Sequence, residues 1–573
     1  MPYRNNAKIF GRIGSVARLV SGYTASDFGN VATLFAFLSI PMLMIGGAAI
    51  DYGFATRLET KLQAATDSIV LLLCQTPLNT TADNLNTMAQ QAMNGAMGSQ
   101  GLVVDPLTIT QNPRQITLKA HKLSTVFFGK LTGTNVINPV ATAQCATPMP
   151  KVFEIALVLD NTGSMNKAGD DGVTKIASLR SAAKNFISYI FNNTSFASGT
   201  KISIVPFAAS VAVSPSTYMR RNWVDTQGLS KYHWSNVVGA ASAGFNSRFD
   251  IFAKLSNQFQ SWSWAGCFES LPYPQNVTDT GVSGNDSLYI PYFAPDEGGS
   301  GTVAPGYFDA NKTYVGTNSY LDDYTNDPRC AYQQPQGNST SYMTAMGRAC
   351  KYAKPQNAKS GTYIAELGPN GPNFGCTSQP LQLLTNSSST LYNIVDNMTA
   401  GGVTNIHEGF MWGWRTLSPY SVLYDGTASA YGSATVNKII ILMTDGTNTW
   451  LDWGASPNKS LFSSNGFFMN VDKTDPDAHF PAANQNITTG SQARAGLDAL
   501  TRLACSNAGT ANVAIYTIGL SVSSDPIDND GISLLQDCAR YGNGLYFQAN
   551  NSDTLIAAFS KIAKSIGSLR ITR

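Results

Sequence analysis

Three short segments of this 573-residue chain carry oxygen-bearing side chains in arrangements that could hold a hard cation. Asp160-Asn161-Thr162-Gly163-Ser164 follows the apolar run from Val152 to Leu159, and Thr444-Asp445-Gly446 follows Ile439 to Met443. Between them, Gly401-Gly402-Val403-Thr404 leads into a helix-like stretch. Alternation at 160, 162 and 164 suits a loop that curls around an ion, and hard divalent cations take oxygen ligands, Mg²⁺ keeping an octahedral shell that includes waters. Taken singly, each piece has an ordinary structural use: Asp160 as a helix cap, Asp445-Gly446 as a turn.

Other chemistry-bearing residues form weaker patterns. His407-Glu408 starts like a zinc-protease helix, but the second histidine of H-E-x-x-H is replaced by Met411. Asp528-Asn529-Asp530-Gly531 begins like a calcium loop, yet Leu and Gln stand where the remaining ligands belong, so it reads as an acidic turn. No nucleotide-binding glycine loop and no Ser-His-Asp nucleophile elbow is present. The eight cysteines include no C-x-x-C pair, which argues against a zinc ribbon or a thioredoxin-like motif. An even number spread through loop-like sequence fits disulfides in an oxidising compartment.

The elements that must position the oxygen-bearing residues are strands alternating with amphipathic helices. Val152 to Leu159, Ile202 to Phe207, Ile439 to Met443 and Val513 to Ile518 are continuous apolar runs, the pattern of strands buried on both faces. Ile176, Leu179, Ala183, Phe186, Ile187 and Ile190 mark one helix face, and Leu555, Ala558, Phe559, Ile562 and Ile566 another. Such alternation predicts an α/β fold with a doubly wound, mostly parallel sheet, in which ligands bind at the carboxyl ends of the strands. Cys505 lies in a helix-like stretch and Cys538 at the end of another, both flanking the last core strands, and the expectation is that they pair.

Val31 to Ile50 carries no charge and is long enough, at about 20 residues, to cross a bilayer core. Arg4, Lys8, Arg12 and Arg18 precede it, with Asp27 the lone acid, so residues 1–30 are expected in the cytoplasm and everything after Asp51 across the membrane. The apolar run is long for a cleaved signal, and Leu58, Leu62, Ala65, Ile69 and Leu72 continue a helical seam beyond it, which favours an uncleaved anchor. Residues 51–150 then predict a small helix-plus-sheet module. Asn84 to Met97 is helix-like, Ile116, Leu118 and Ala120 alternate with polar residues, and Val126-Phe127-Phe128 and Val140 to Ala146 also read as strands. Thr147-Pro148-Met149-Pro150 looks like a linker to a domain spanning 151–573. Charged residues make up 13% of the chain and the net charge is +2, too little clustered basic charge for a nucleic-acid partner.

In the order of these segments the chain resembles the von Willebrand factor A (vWA) family, whose metal-ion-dependent adhesion site (MIDAS) follows D-x-S-x-S, then Thr, then Asp. Asp160, Thr162 and Ser164 match the first element, Thr404 the second and Asp445 the third; Thr162 departs from the usual Ser but keeps the hydroxyl. The resemblance implies an Mg²⁺-type ion (or Mn²⁺ or Ca²⁺) held by these five residues, its last position filled by an acidic group of a protein partner. The chemistry agrees, because carboxylate and hydroxyl oxygens are the ligands that hard divalent cations prefer. A plain vWA domain has about 200 residues, so about 214–380 and 447–490 are insertions, expected to wall the site. From residue 28 onward the chain also resembles TadG-like proteins of bacterial Tad (Flp-type) pilus assembly systems. Phe28-Gly29-Asn30, Ala49 to Gly53, Asp160 to Met165, Tyr292 to Glu297, Gly371 to Cys376, Trp412 to Arg415 and Leu569 to Thr572 carry that likeness. It implies an inner-membrane, single-pass protein, not an enzyme, with its bulk periplasmic or extracellular and pilus components as partners. The alternatives are a minor-pilin-like structural component without metal dependence and a metal-dependent hydrolase, for which no second histidine supports His407.

Overall fold

The computed structural model describes residues 31–568 apart from 78–79, 112–113, 130–132, 134–135, 147–151, 194–195, 298–317, 319, 322–346, 356–362, 365–367, 378, 454–457 and 473–475. The basic segment before the anchor, the linker around Met149, Cys330 and the segment from Leu569 onward therefore lie outside the described residues. The chain divides into two compact units, Met1–Met149 and Pro150–Arg573.

The first unit is built on one long helix, α1 (Val31–Cys74). Its first half is apolar and exposed, with Leu34, Phe35, Phe37, Leu38, Ile40 and Leu43 all outward, and by length and composition it could cross a membrane. Its second half buries Leu62, Ile69, Val70 and Leu73 against α2 (Ala82–Met97) and a four-stranded antiparallel sheet. The sheet holds β1 (Leu102–Val104), β2 (Thr108–Thr110), β3 (Gln115–Lys122) and β6 (Val140–Ala146), with β3 central. Ile116, Leu118 and Ala120 point inward at period two, as their alternation predicts. Cys74 and Cys145 tie the end of α1 to β6.

Two local expectations fail here. Leu72 is 51% exposed and Leu73 takes the buried place, because four residues, not three, return the helix to the face set by Ile69. Val126-Phe127-Phe128 is not a strand; pairing stops after β4 (Ser124–Thr125), which meets β5 (Val136–Ile137). The amides of Phe127, Phe128 and Gly129 instead donate to the Asp51 carboxylate at 2.9, 2.8 and 2.8 Å, so they are spent on a side chain and not on a ladder.

The second unit is the predicted α/β layer structure. Its six-stranded sheet runs β9 (Gln382–Thr385), β8 (Lys201–Phe207), β7 (Val152–Asp160), β10 (Val436–Thr444), β11 (Val513–Leu520), β12 (Tyr546–Ala549). All pairings are parallel except that of β9 with β8. Side chains of β7 alternate between two cores: Ile155, Leu157 and Leu159 face α3 (Lys175–Asn192) and α9 (Ser552–Ser568). Ala156 and Val158 face α6 (Ile406–Leu417), α7 (Gly490–Thr510) and α8 (Asn529–Tyr541). Burial of each such aliphatic side chain contributes about 1.5–3 kcal/mol, so the double-sided cover is what makes the central strands read as unbroken apolar runs.

Both insertions are ordered against this frame where described. The first packs Trp223, Trp262, Trp264, Phe268 and Tyr289 into the core on the α6 side, and Cys267–Cys376 closes its base beside the Ala212 bridge. The second buries Trp450, Phe468 and Phe480 against α7. Cys505 and Cys538 join α7 to α8.

Candidate metal centre

Successive connections carry the chain from β7 to β8 and β9 on one side and from β10 to β11 and β12 on the other, so the order reverses between β7 and β10. Loops leaving adjacent strands in opposite directions open a crevice at such a switch point. Asp160 ends β7 and Asp445 follows the last residue of β10, so both carboxylates stand at that crevice.

Backbone hydrogen bonds fix the first loop. Asn161 N donates to Phe207 O (2.8 Å), Gly163 N to Gly402 O (2.9 Å), and Gly401 N to Asn161 O (2.8 Å). Gly402 has φ +91°, a left-handed conformation that suits glycine, and a Cβ there would meet Ala208 Cβ at 3.3 Å. That glycine lets the 401–404 segment lie against the loop after Asp160 and brings Thr404 to the crevice. Asn405 then caps α6 by accepting from Glu408 N at 3.1 Å.

Four of the five predicted residues form one continuous chain of oxygens. Asp160 Oδ1 accepts from Thr162 N (2.8 Å) and Thr162 Oγ1 (2.6 Å). Thr162 Oγ1 lies 3.1 Å from Ser164 Oγ, which donates to Asp445 Oδ1 at 2.8 Å. Thr404 is brought alongside but not into this chain: a Cβ on Gly446 would meet its Oγ1 at 3.7 Å. An octahedral Mg²⁺ with oxygens at about 2.0–2.1 Å separates neighbouring ligand atoms by about 2.9 Å, and the 3.1 and 2.8 Å spacings match that edge. The donor set of carboxylates and hydroxyls therefore fits a hard divalent cation. Among the described residues no group of three or more His, Cys, Asp or Glu side chains is placed for a metal, so a site here would rely on hydroxyls.

Three participants carried little sequence signal. Thr444 Oγ1 donates to Asp160 Oδ2 at 2.6 Å; its position at a strand end, next to Asp445, could have marked it. Lys175 Nζ, fully buried, lies 2.9 Å from Asp445 Oδ2 and 2.7 Å from Asp525 Oδ2. Lys175 is the first residue of α3, and nothing in its spacing from either acid announces the contact. Burial, then the nearby Asp445 charge, pushes the Asp160 carboxyl up to about 7. Burial opposes the Lys175 charge, but Asp445 and Asp525 outweigh it and raise the ammonium above its ordinary value. Burial and the neighbouring acid thus both disfavour a second negative charge at Asp160, while Lys175 pairs with Asp445.

The residues set aside on sequence grounds sit elsewhere. His407 is fully buried with Nε2 2.7 Å from the carbonyl of Asn276, and burial lowers its pKa, so it serves packing in α6. Asp528 caps α8, accepting from Gly531 N at 2.9 Å, as an acidic turn should.

Comparison with known proteins gives one match at the level of sequence families. Residues 29–68 match the Tad family, described as Flp pilus-assembly TadE/G-like. No curated protein matches the chain. Among solved structures, the PilB minor pilin from Streptococcus sanguinis is 12% identical, with 81% of this chain and 77% of that one covered at a TM-score of 0.30. The von Willebrand domain of the type V pili tip protein Mfa5 from Porphyromonas gingivalis is 11% identical, covering 74% and 98% at 0.30. A von Willebrand factor type A protein from Catenulispora acidiphila is 10% identical, covering 81% and 49% at 0.24. Superpositions this loose carry no weight for function; the fold stands on the strand order.

Proposed function

We propose that this is a membrane-anchored vWA-type protein of the Tad/Flp pilus machinery that binds a protein partner through a divalent cation at Asp160, Thr162, Ser164, Thr404 and Asp445. The observation that carries the reading is the chain of oxygens from Asp160 through Thr162 and Ser164 to Asp445, set at the switch point of the sheet. The family match over residues 29–68 supports the pilus setting, and the exposed apolar half of α1 supports an anchor. A bound Mg²⁺ or Mn²⁺ would supply an open coordination position for a partner's Asp or Glu. The chain's own part is to hold two carboxylates and three hydroxyls, with Lys175 already paired to Asp445, so that the site stays short of negative charge. We read its task as binding rather than catalysis: among the described residues the motif-like histidine, His407, is buried in α6 with Nε2 on the Asn276 carbonyl. The basic flank before Val31 supports an N-terminus in the cytoplasm, with everything after Asp51 on the far side.

Calorimetry with Mg²⁺ and Mn²⁺ on the full chain in detergent tests the centre. Asp445→Ala should weaken ion binding more than Ser164→Ala, since charge dominates attraction for a hard cation. Equal affinity in wild type and Asp445→Ala would remove the site, and retention of pilus components in the presence of a chelator would remove its role in recognition. A second reading, a structural pilus component with no metal dependence, is favoured by Lys175, whose ammonium already balances Asp445.

A further inference from the structure

Beyond Asn405, which follows Thr404 and donates to Asn465, the two insertions line a cavity of about 340 Å³ whose wall includes Lys231, Tyr232, Asn236, Glu269, Asn465 and His479. The geometry points to a binding site for a neutral sugar, one or two rings in size, a function independent of the cation.

The volume falls at the lower end of the roughly 300–1,000 Å³ of small-ligand sites. Its chemistry is polar but without spare charge. Lys231 pairs with Asp286 at 3.0 Å, Glu269 is held by the Arg248 guanidinium, and Asp472, also on the wall, is partnered too. A phosphate would find Lys231 already paired and a free cation would find Glu269 already paired, whereas hydroxyl groups need only donors and acceptors.

Those are present on the residues that line the cavity. Asn465 is 1% exposed, yet its Nδ2 has no hydrogen-bond partner among the described residues. Its orientation is fixed, because Oδ1 accepts from Asn405 Nδ2 (3.4 Å) and Ser464 Oγ (3.3 Å), which leaves the NH₂ turned away from both. A buried donor without a partner costs about 1–3 kcal/mol, so such a group on a cavity wall marks a place where a ligand oxygen belongs. Glu269 uses Oε1 for Arg248, leaving Oε2 as an acceptor. His479 Nδ1 lies 3.1 Å from the Leu271 carbonyl and donates to it, which makes Nε2 an acceptor. The rings of Tyr232 and His479, 6.3 Å apart and tilted by 43°, form an aromatic corner against which the C–H face of a sugar can pack.

The test is saturation-transfer NMR with glucose, galactose, mannose and N-acetylglucosamine. It uses the full chain in a detergent without a sugar head group. At least one sugar should bind saturably at millimolar concentration. Asn465→Asp keeps the accepting oxygen and removes the donor; Tyr232→Ala removes half of the aromatic corner. Each should weaken binding about tenfold (about 1.4 kcal/mol), Tyr232→Ala without a change in melting temperature and Asn465→Asp with some loss of it, since it puts a carboxylate in a buried place. Asp445→Ala and a chelator should leave it intact, which separates this site from the metal reading. Absence of binding for all four sugars, equal binding by wild type and both variants, or binding of inorganic phosphate alone would overturn the proposal.

Discussion

Lys175 Nζ sits 2.9 Å from Asp445 Oδ2 with both side chains fully buried, so a lysine holds one oxygen of the acid that the cation would share. Removing one partner of a buried pair leaves an uncompensated charge and costs about 3–5 kcal/mol. Lys175→Met should therefore lower the melting temperature sharply in EDTA. A divalent cation would supply the lost positive charge, so added Mg²⁺ should raise the melting temperature more in the variant than in wild type. A variant whose stability ignores Mg²⁺ would favour the metal-independent reading.

The link between Cys505 and Cys538 staples α7 to α8 across a separation of 33 residues. Closing a loop of that size in the unfolded chain is worth roughly 3–4 kcal/mol. A Cys505→Ala/Cys538→Ala double variant should unfold at correspondingly lower denaturant and with a steeper slope, because the unlinked unfolded chain exposes more surface. Peptide mapping of protein from its native compartment should find the bridge before reduction. Free thiols at both positions there would contradict the pairing.

What the sequence made legible follows from periodicity and local order. The strands through Val152, Ile202, Ile439 and Val513 read as unbroken apolar runs because helices cover both faces of the sheet. Asp160, Thr162 and Ser164 were legible because they are neighbours in sequence, and Asp445 because it follows a strand. The pairing of Lys175 with Asp445, 270 residues away, was not, since only the topology brings them together. Phe127 and Phe128 misled for a related reason. Their β-type side chains say nothing of Asp51, which takes their amides from 76 and 77 residues away. Thr404 was placed by motif order, and the structure brings it beside Gly446 without joining it to the hydrogen-bonded chain.

Within the first insertion, Asp225 accepts from Leu229 N and Ser230 N at 2.9 Å each and from His233 Nδ1 at 2.8 Å. His233 Nε2 in turn accepts from Arg248 N (3.0 Å), so the ring is neutral with its proton on Nδ1. Burial works against the Asp225 charge, but these donors bring its pKa down to about 2. The stability it confers is full above its unfolded value of 3.8 and is lost as pH falls through 2. Burial lowers the His233 pKa, so below its unfolded value of 6.5 the unfolded chain gains a proton first and stability again falls. Melting temperature should decline from pH 7 downward. Asp225→Asn, costing about 1–3 kcal/mol at neutral pH, should flatten the part of the curve below pH 4. A slope there equal to wild type would mean that Asp225 is not the titrating group.

Asp51 ends the apolar half of α1 and gathers the amides of Phe127, Phe128 and Gly129. Three convergent N–H groups form a nest for an anion, and the carboxylate is the feature that holds this turn shut. Phe127 is 70% exposed and Phe128 37%, with Phe127 beside Phe54 of α1 at a ring distance of 6.3 Å. Asp51→Ala would strand three donors and release the segment, while Asp51→Asn would keep one accepting oxygen and release it less. Limited chymotrypsin digestion of the full chain in detergent should cut after Phe127 or Phe128 severalfold faster in Asp51→Ala than in wild type, with Asp51→Asn between them. The Cys74–Cys145 bridge and the buried face of Leu62, Ile69 and Leu73 lie on the other half of α1, so the rest of the module should stay protected. Equal cleavage in all three proteins would show that the turn is held by something other than this carboxylate.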